Sequence, residues 1–254
     1  MSNHDIIKGR FGIVTGAASG IGRAVAVHLA CMGAGVALVD LNRIGMEETV
    51  SLIRQKTSSP SLVFVTDVTD ELEVNKVVDE TTAELGAIDF LVNSAGILRR
   101  TAFLEIDSEE WDLMLNVNLR GPFLFCKAVT PRMIDRGRGV IINVASLAGR
   151  TASILGGAHY TAAKHALIGL SRHMARELSP KGLRINAFCP GATLTPMVTD
   201  STSSEEIEAV ASAIPRGKWA TPEEQAAVIG FLVSDAAVNI TGACIDSNGG
   251  SLMV

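Results

Sequence analysis

The chain reads as short apolar runs separated by longer stretches in which apolar positions recur with helical period. "FGIVT" from Phe11, "GVALVD" from Gly35, "SLVFVT" from Ser61, "IDFLV" from Ile88, "GVIINVAS" from Gly139, "LRINAF" from Leu183 and "ACID" from Ala243 have the β-branched or continuously apolar character of strands buried on both faces. Between them a helical period covers about 20–32, 43–56, 71–85, 109–135, 158–178 and 222–233. Alternation of this kind builds repeated β-α units. The expected fold is therefore α/β, a doubly wound parallel sheet of about seven strands with helices on both faces.

Two helix starts are sharply marked. "DSEEW" offers Asp or Ser as a cap followed by acidic residues in the first turn, and "TPEEQ" offers Thr with Pro at the first helical position. The longest stretch of uncertain form, "PGATLTPMVTDSTSSEEIEAVASAIPR" over 190–216, has a polar middle between prolines. It suits a flap over a site, or an ordinary surface loop with one short helix. No repeat and no Gly/Ser/Pro linker divides the chain, so 1–254 is expected to form a single domain.

Composition narrows the function. Apolar residues make up 47% of the 254 and charged residues 19%, ample for one large core. The net charge of −5 and the lack of a basic cluster argue against nucleic-acid binding. The opening "MSNHDIIKGR" lacks a signal-peptide core, and no apolar run reaches the length of about 20 residues that spans a membrane. A soluble, cytoplasmic protein is expected. Cys31, Cys126, Cys189 and Cys244 are far apart in apolar surroundings and read as buried free thiols. The five histidines have no metal-ligand spacing, so no metal is expected in the chemistry.

"IVTGAASGIGRAV" supplies the first candidate site. The turn holding Gly16, Ser19, Gly20, Ile21 and Gly22 follows a strand and opens a helix, so backbone N–H groups and the helix dipole would face a pyrophosphate. The second strand ends at Asp40, where a carboxylate can accept hydrogen bonds from both hydroxyls of an adenosine ribose. That carboxylate repels a 2′-phosphate, and neither Ser19 nor Leu41 offers a compensating cation; Arg43 lies three residues beyond Asp40. NAD is expected over NADP.

With that cradle the chain resembles, over nearly its whole length, the short-chain dehydrogenase/reductase family. The motifs in order are "TGAASGIG" at Thr15, "DV" at Asp67, "NSAG" at Asn93, "NVNL" at Asn116, "NVAS" ending at Ser146, "YTAAK" at Tyr160 and "PG" at Pro190. The resemblance implies a Rossmann fold in which Asp67 and Val68 border the adenine. It places Asn93, Ala95 and Gly96 along the middle of the cofactor groove, with Ser94 in place of the commoner second Asn. It implies that Pro190, Gly191, Thr193 and Thr195 belong to the segment meeting the nicotinamide carboxamide, and that Asn118, Ser146, Tyr160 and Lys164 are catalytic.

The chemistry of the last two follows from spacing as well. Tyr160, the only tyrosine, and Lys164 are four apart and share a helix face, so the ammonium lies near the phenol. A cation there, with the positive nicotinamide, would lower a phenol pKa of about 10 toward 7, which needs roughly 4 kcal/mol. Tyr160 would then exchange the hydroxyl proton of a secondary alcohol or ketone as hydride moves to or from nicotinamide C4. Ser146 would hold the substrate oxygen, and Lys164 the nicotinamide ribose. By the resemblance, Asn118 would position a water joining Lys164 to solvent.

A hydrolase is disfavoured because no G-x-S-x-G elbow exists: Ala17 stands two before Ser19. His159 and His165 flank the Tyr-Lys pair and are expected to point elsewhere. A noncatalytic NAD-binding module and a reductase of carrier-borne 3-oxoacyl groups remain alternatives. Leu147, Ile154, Leu155, Leu194, Met197 and Val198 form either an apolar substrate wall or core, while Arg99, Arg100 and Arg150 either face solvent or bind an anionic partner. The resemblance also implies a homotetramer joined through the long helices containing Trp111 and Tyr160.

Overall fold

The computed structural model describes residues 7–200 and 202–254; the first six residues of the opening segment lie outside the described residues. A seven-stranded sheet contains β1 (Phe11–Thr15), β2 (Gly35–Asp40), β3 (Ser61–Val65), β4 (Phe90–Asn93), β5 (Gly139–Val144), β6 (Leu183–Pro190) and β7 (Cys244–Ser247), ordered β3-β2-β1-β4-β5-β6-β7. All six pairings are parallel. The helices are α1 (Gly20–Cys31), α2 (Arg43–Lys56), α3 (Glu71–Leu85), α4 (Ser108–Leu115), α5 (Gly121–Asp135), α6 (Ala158–Leu178), α7 (Pro196–Thr199), α8 (Ser204–Ala213) and α9 (Pro222–Val233).

Alternate strand residues feed two cores, which is why the strands read as unbroken apolar runs. Val14, Leu38, Phe90 and Ile142 pack on one face with residues of α1, α2 and α9. Ile13, Val39, Leu91 and Ile141 pack on the other with residues of α3, α5 and α6. The chain winds outward from β1 to β3, then returns to place β4 on the far side of β1. That reversal opens a crevice beyond the carboxyl ends of β1 and β4, where α/β sheets hold their ligands.

The two marked helix starts are as read. Asp107 Oδ1 accepts from Glu110 N at 2.8 Å, and Thr221 and Glu224 form a reciprocal capping box with Pro222 in the first turn. The single helix expected over 109–135 differs. Between α4 and α5 the turn Asn116–Arg120 is widened, with Gly121 N–H bonded back to Asn116 O. Inside it, Asn118 Nδ2 donates to Met114 O at 3.1 Å, taking the carbonyl that a regular helix would give to a backbone N–H.

Segment 190–216 is not an open loop. It carries α7 and α8, the second opened by a Ser203–Glu206 capping box. Trp219 Nε1 donates to Ile207 O at 2.8 Å, and Arg100 bonds Thr202 and pairs with Glu206, so this excursion is tied down at both sides.

Candidate active site

A cavity of about 350 Å³ occupies the crevice. Its floor at β1 needs glycine. Gly16 has φ +69°, and a Cβ there would lie 2.8 Å from Ala95 N; a Cβ on Gly22 would lie 2.1 Å from Gly16 O. Gly16, Ser19, Gly20, Ile21 and Gly22 all line the cavity. Thr15 Oγ1 accepts from Ser94 N at 3.1 Å and Ala95 N at 3.0 Å, locking the exits of β1 and β4 together.

Asp40 lines the cavity at the end of β2. Its Oδ2 accepts from Ala18 N at 3.1 Å and its Oδ1 from Asn42 N at 2.9 Å, so the carboxylate also sets the shape of the glycine turn. Arg23 is turned toward the carbonyls of Ala18 and Gly45 and toward Glu48. Arg43 is exposed and 3.8 Å from Glu47. Neither arginine lines the cavity. Asp67 and Val68 do, although the Asp67 carboxylate is taken up by Thr69, whose N–H and hydroxyl each lie 2.8 Å from Oδ1.

After β4, Ser94, Ala95, Gly96 and Ile97 line the cavity, but Asn93 does not. Its side chain turns inward, where Nδ2 donates to Asn143 Oδ1 at 2.8 Å, and Asn143 Nδ2 donates to Ser171 Oγ at 2.9 Å. Asn93 thus ties β4 to β5 below the groove rather than facing an adenosine. Asn118 is fully buried; Nδ2 donates to Ile97 O and Oδ1 accepts from Ile97 N at 3.2 Å. Both amide N–H groups are spent on protein carbonyls, so the side chain fixes the Gly96–Ile97 backbone.

At the other end, Tyr160 and Lys164 line the cavity from α6. Ser146 follows β5 just outside the cavity lining; its Oγ accepts from Ala148 N at 3.1 Å, and its hydroxyl is near enough to the phenol to favour the ionised form. Lys164 Nζ donates to Val144 O at 3.0 Å and lies 5.7 Å from the centroid of the Tyr160 ring. Burial raises the phenol pKa above its ordinary value, opposed by the Ser146 hydroxyl. Burial also lowers Lys164, to about 8, opposed by Cys189. The polypeptide alone therefore does not depress Tyr160 as the spacing suggested, because desolvation outweighs its partner.

His159 has a role that the sequence hid. It is buried beside Tyr160, its Nδ1 accepting from Tyr160 N at 2.9 Å and its Nε2 lying 2.7 Å from Glu110 Oε1. It points away from the groove, as expected, yet anchors the start of α6 to α4. Pro190 and Thr195 line the cavity. Gly191 and Thr193 sit behind them; Gly191 N–H bonds Ser247 O, and Thr193 Oγ1 donates to Gly191 O and accepts from Gln225 Nε2 at 3.1 Å. None of the six apolar wall residues is core: Ile154 is 84% exposed, Leu194 and Met197 are also exposed, and the others are partly so. Arg150 is not a solvated charge either, since it pairs with Asp246 at 2.8 Å.

The glycine floor, the strand-end carboxylate and the Ser-Tyr-Lys cluster at one crevice define a dinucleotide-dependent oxidoreductase. The family described as enoyl-(acyl carrier protein) reductase matches residues 16–251, and the chain belongs to the short-chain dehydrogenase/reductases. It is 39% identical to the D-threitol dehydrogenase of Mycolicibacterium smegmatis, over 96% of this chain and 93% of that protein. It is 37% identical to a 3-oxoacyl-(acyl-carrier-protein) reductase of Thermotoga maritima, over 96% and 98%. Among solved structures, levodione reductase superposes with a TM-score of 0.92 at 34% identity, covering 96% of this chain and 97% of that one. Among the described residues no helix is long and apolar enough to cross a membrane.

Proposed function

We propose that the chain interconverts a small secondary alcohol and its ketone with NAD preferred over NADP, Tyr160 serving as general acid and base. The observation that carries this reading is that Tyr160 and Lys164, 5.7 Å from ring centroid to Nζ, line the end of a glycine-floored groove. Gly16, Gly20, Gly22, Asp40, Ala95, Gly96, Pro190 and Thr195 would hold the dinucleotide, which supplies the hydride acceptor or donor when bound.

The residues of the chain handle the proton. Ser146 steadies the substrate oxygen while Tyr160 takes its proton as the phenolate or returns it as the hydroxyl. The Lys164 ammonium, held on the Val144 carbonyl, stabilises negative charge on the phenol oxygen and offers its remaining N–H groups to the cofactor ribose. Asn118 keeps the Gly96–Ile97 turn in place opposite this cluster.

Preference for NAD is supported by the Asp40 carboxylate in the groove and by Arg23 and Arg43 being directed elsewhere. The exposed Ile154, Leu194 and Met197 support an apolar wall for the substrate. Arg100 and Arg150 are engaged by Glu206 and Asp246, which weighs against an anionic carrier as the partner. Exposed Phe103, Leu104, Trp111, Leu113 and Phe123 on and around α4 and α5 support self-association, read as a homotetramer. The four free cysteines fit a reducing, cytoplasmic setting. A panel of secondary alcohols assayed with NAD and with NADP tests the reading; formation of reduced cofactor from none of them would overturn it.

A further inference from the structure

Cys189 and Cys244 are distant in sequence, but β6 and β7 bring their sulfur atoms to 3.2 Å. A carboxylate oxygen of Asp246 joins them, all three donor atoms lying within 4.8 Å of one another. Cys189 is fully buried, while Cys244 and Asp246 are half-buried on the edge strand. Arg150 Nη1 donates to Asp246 Oδ2 at 2.8 Å, and the other oxygen, Oδ1, is buried without a hydrogen-bond partner. The cluster thus holds two soft donors and one unsatisfied hard donor, and the activity proposed above uses none of them.

A disulfide and a metal ion make different demands on this arrangement. Cys189 is in register with Asp246, and Cys244 with Ala187, so the two cysteines are diagonal neighbours. Two residues along at about 3.3 Å each and about 4.8 Å across put their Cα atoms roughly 8 Å apart. That exceeds the limit of about 7 Å for a disulfide without backbone movement. A tetrahedral zinc-class ion about 2.3 Å from each sulfur asks only for sulfur atoms about 3.8 Å apart, reached by a small side-chain rotation. Charge agrees: two thiolates and a carboxylate carry three negative charges, which Arg150 and a divalent ion together cancel. Arg150, staying on Oδ2, would orient the carboxylate so that Oδ1 faces the ion.

We infer that Cys189, Cys244 and Asp246 bind one divalent ion of the zinc class, which staples the edge strand β7 to β6. The site is structural and lies behind Pro190, outside the hydride-transfer groove, with Cys189 packed among Ala145, Leu167 and Ile168.

The test is titration of the reduced full-length chain with cadmium, followed by its ultraviolet thiolate-to-metal absorption, then displacement by zinc. The expected result is saturation at one ion per chain and a melting temperature raised by zinc. Cys244→Ser should halve the band and weaken binding at least ~10-fold, Asp246→Asn should weaken it by a similar factor while keeping the band, and Cys31→Ser should change neither. Circular dichroism of each variant guards against misfolding, and both principal substitutions sit on the half-buried edge strand rather than at the buried Cys189. A band unaltered by Cys244→Ser, or an affinity unaltered by Asp246→Asn, would place the metal on other groups and overturn the inference. So would a wild-type chain that takes up no cadmium, including one that instead loses two hydrogens on mild oxidation.

Discussion

Lys164 and Tyr160 stand one helical turn apart, yet the ammonium lies 5.7 Å from the centroid of the phenol ring and bonds the Val144 carbonyl at 3.0 Å. Each is buried, and burial acts on both in the direction that disfavours charge, raising the phenol and lowering the ammonium. The phenol is therefore kept neutral, while Lys164, at about 8, still carries its charge at neutral pH.

One consequence is a pH-dependent stability. The Lys164 pKa falls from 10.5 to about 8 on folding, so in that window the unfolded chain binds more protons and stability rises with pH. The cost of burying the charge is present below the folded value and fades as pH climbs through it. Relative to Lys164→Met, the wild-type chain should gain roughly 2 kcal/mol between about pH 7 and pH 10 in denaturant unfolding. A difference between the two proteins that does not vary with pH would contradict this.

Ser146→Ala removes the hydroxyl that opposes the rise in the Tyr160 pKa and that is proposed to hold the substrate oxygen. Turnover of a secondary alcohol should fall about 100-fold, and the acidic limb of its rate profile, where Tyr160 must lose its proton to act as base, should move to higher pH. Cofactor affinity, measured by fluorescence, should stay within about twofold because Ser146 does not line the groove.

Asp40→Ala should lower the ratio of kcat/KM for NAD over NADP by about 10-fold or more, as a carboxylate repelling a 2′-phosphate is lost. It should also lower the melting temperature, since the N–H groups of Ala18 and Asn42 lose their acceptor. A wild-type ratio favouring NADP would overturn the cofactor preference.

Asn118→Ala leaves Ile97 N, Ile97 O and Met114 O without the side chain that satisfies them. A loss of roughly 2–5 kcal/mol in denaturant unfolding is expected from buried unpaired groups. Loss of turnover with undiminished stability would instead mark Asn118 as acting on the proton path alone.

The inner strands were legible because they are buried on both faces, and the cradle because the glycines fall between a strand and a helix. The short-range spacing of Tyr160 and Lys164 was equally open to reading. What pattern could not show depended on where side chains turn in three dimensions. Nothing in "NSAG" says that Asn93 faces Asn143 beneath the groove while Ser94 faces into it. The helical period over 109–135 conceals the widened turn, because one amide bonded to Met114 O leaves the apolar spacing nearly intact. His159 looked idle since its partners, Glu110 and the Tyr160 N–H, are a distant side chain and a backbone group. Cys189 and Cys244 looked solitary because strand pairing, not sequence spacing, makes them neighbours.

In the proposed mechanism the Tyr160 hydroxyl carries the proton. Tyr160→Phe keeps the ring and the helix but removes that hydroxyl, so reduced-cofactor formation from a saturating secondary alcohol should fall at least ~1,000-fold. NAD binding, followed in parallel by fluorescence, should remain within about twofold of wild type. Turnover near the wild-type rate with cofactor binding intact would mean that a group other than Tyr160 carries the proton.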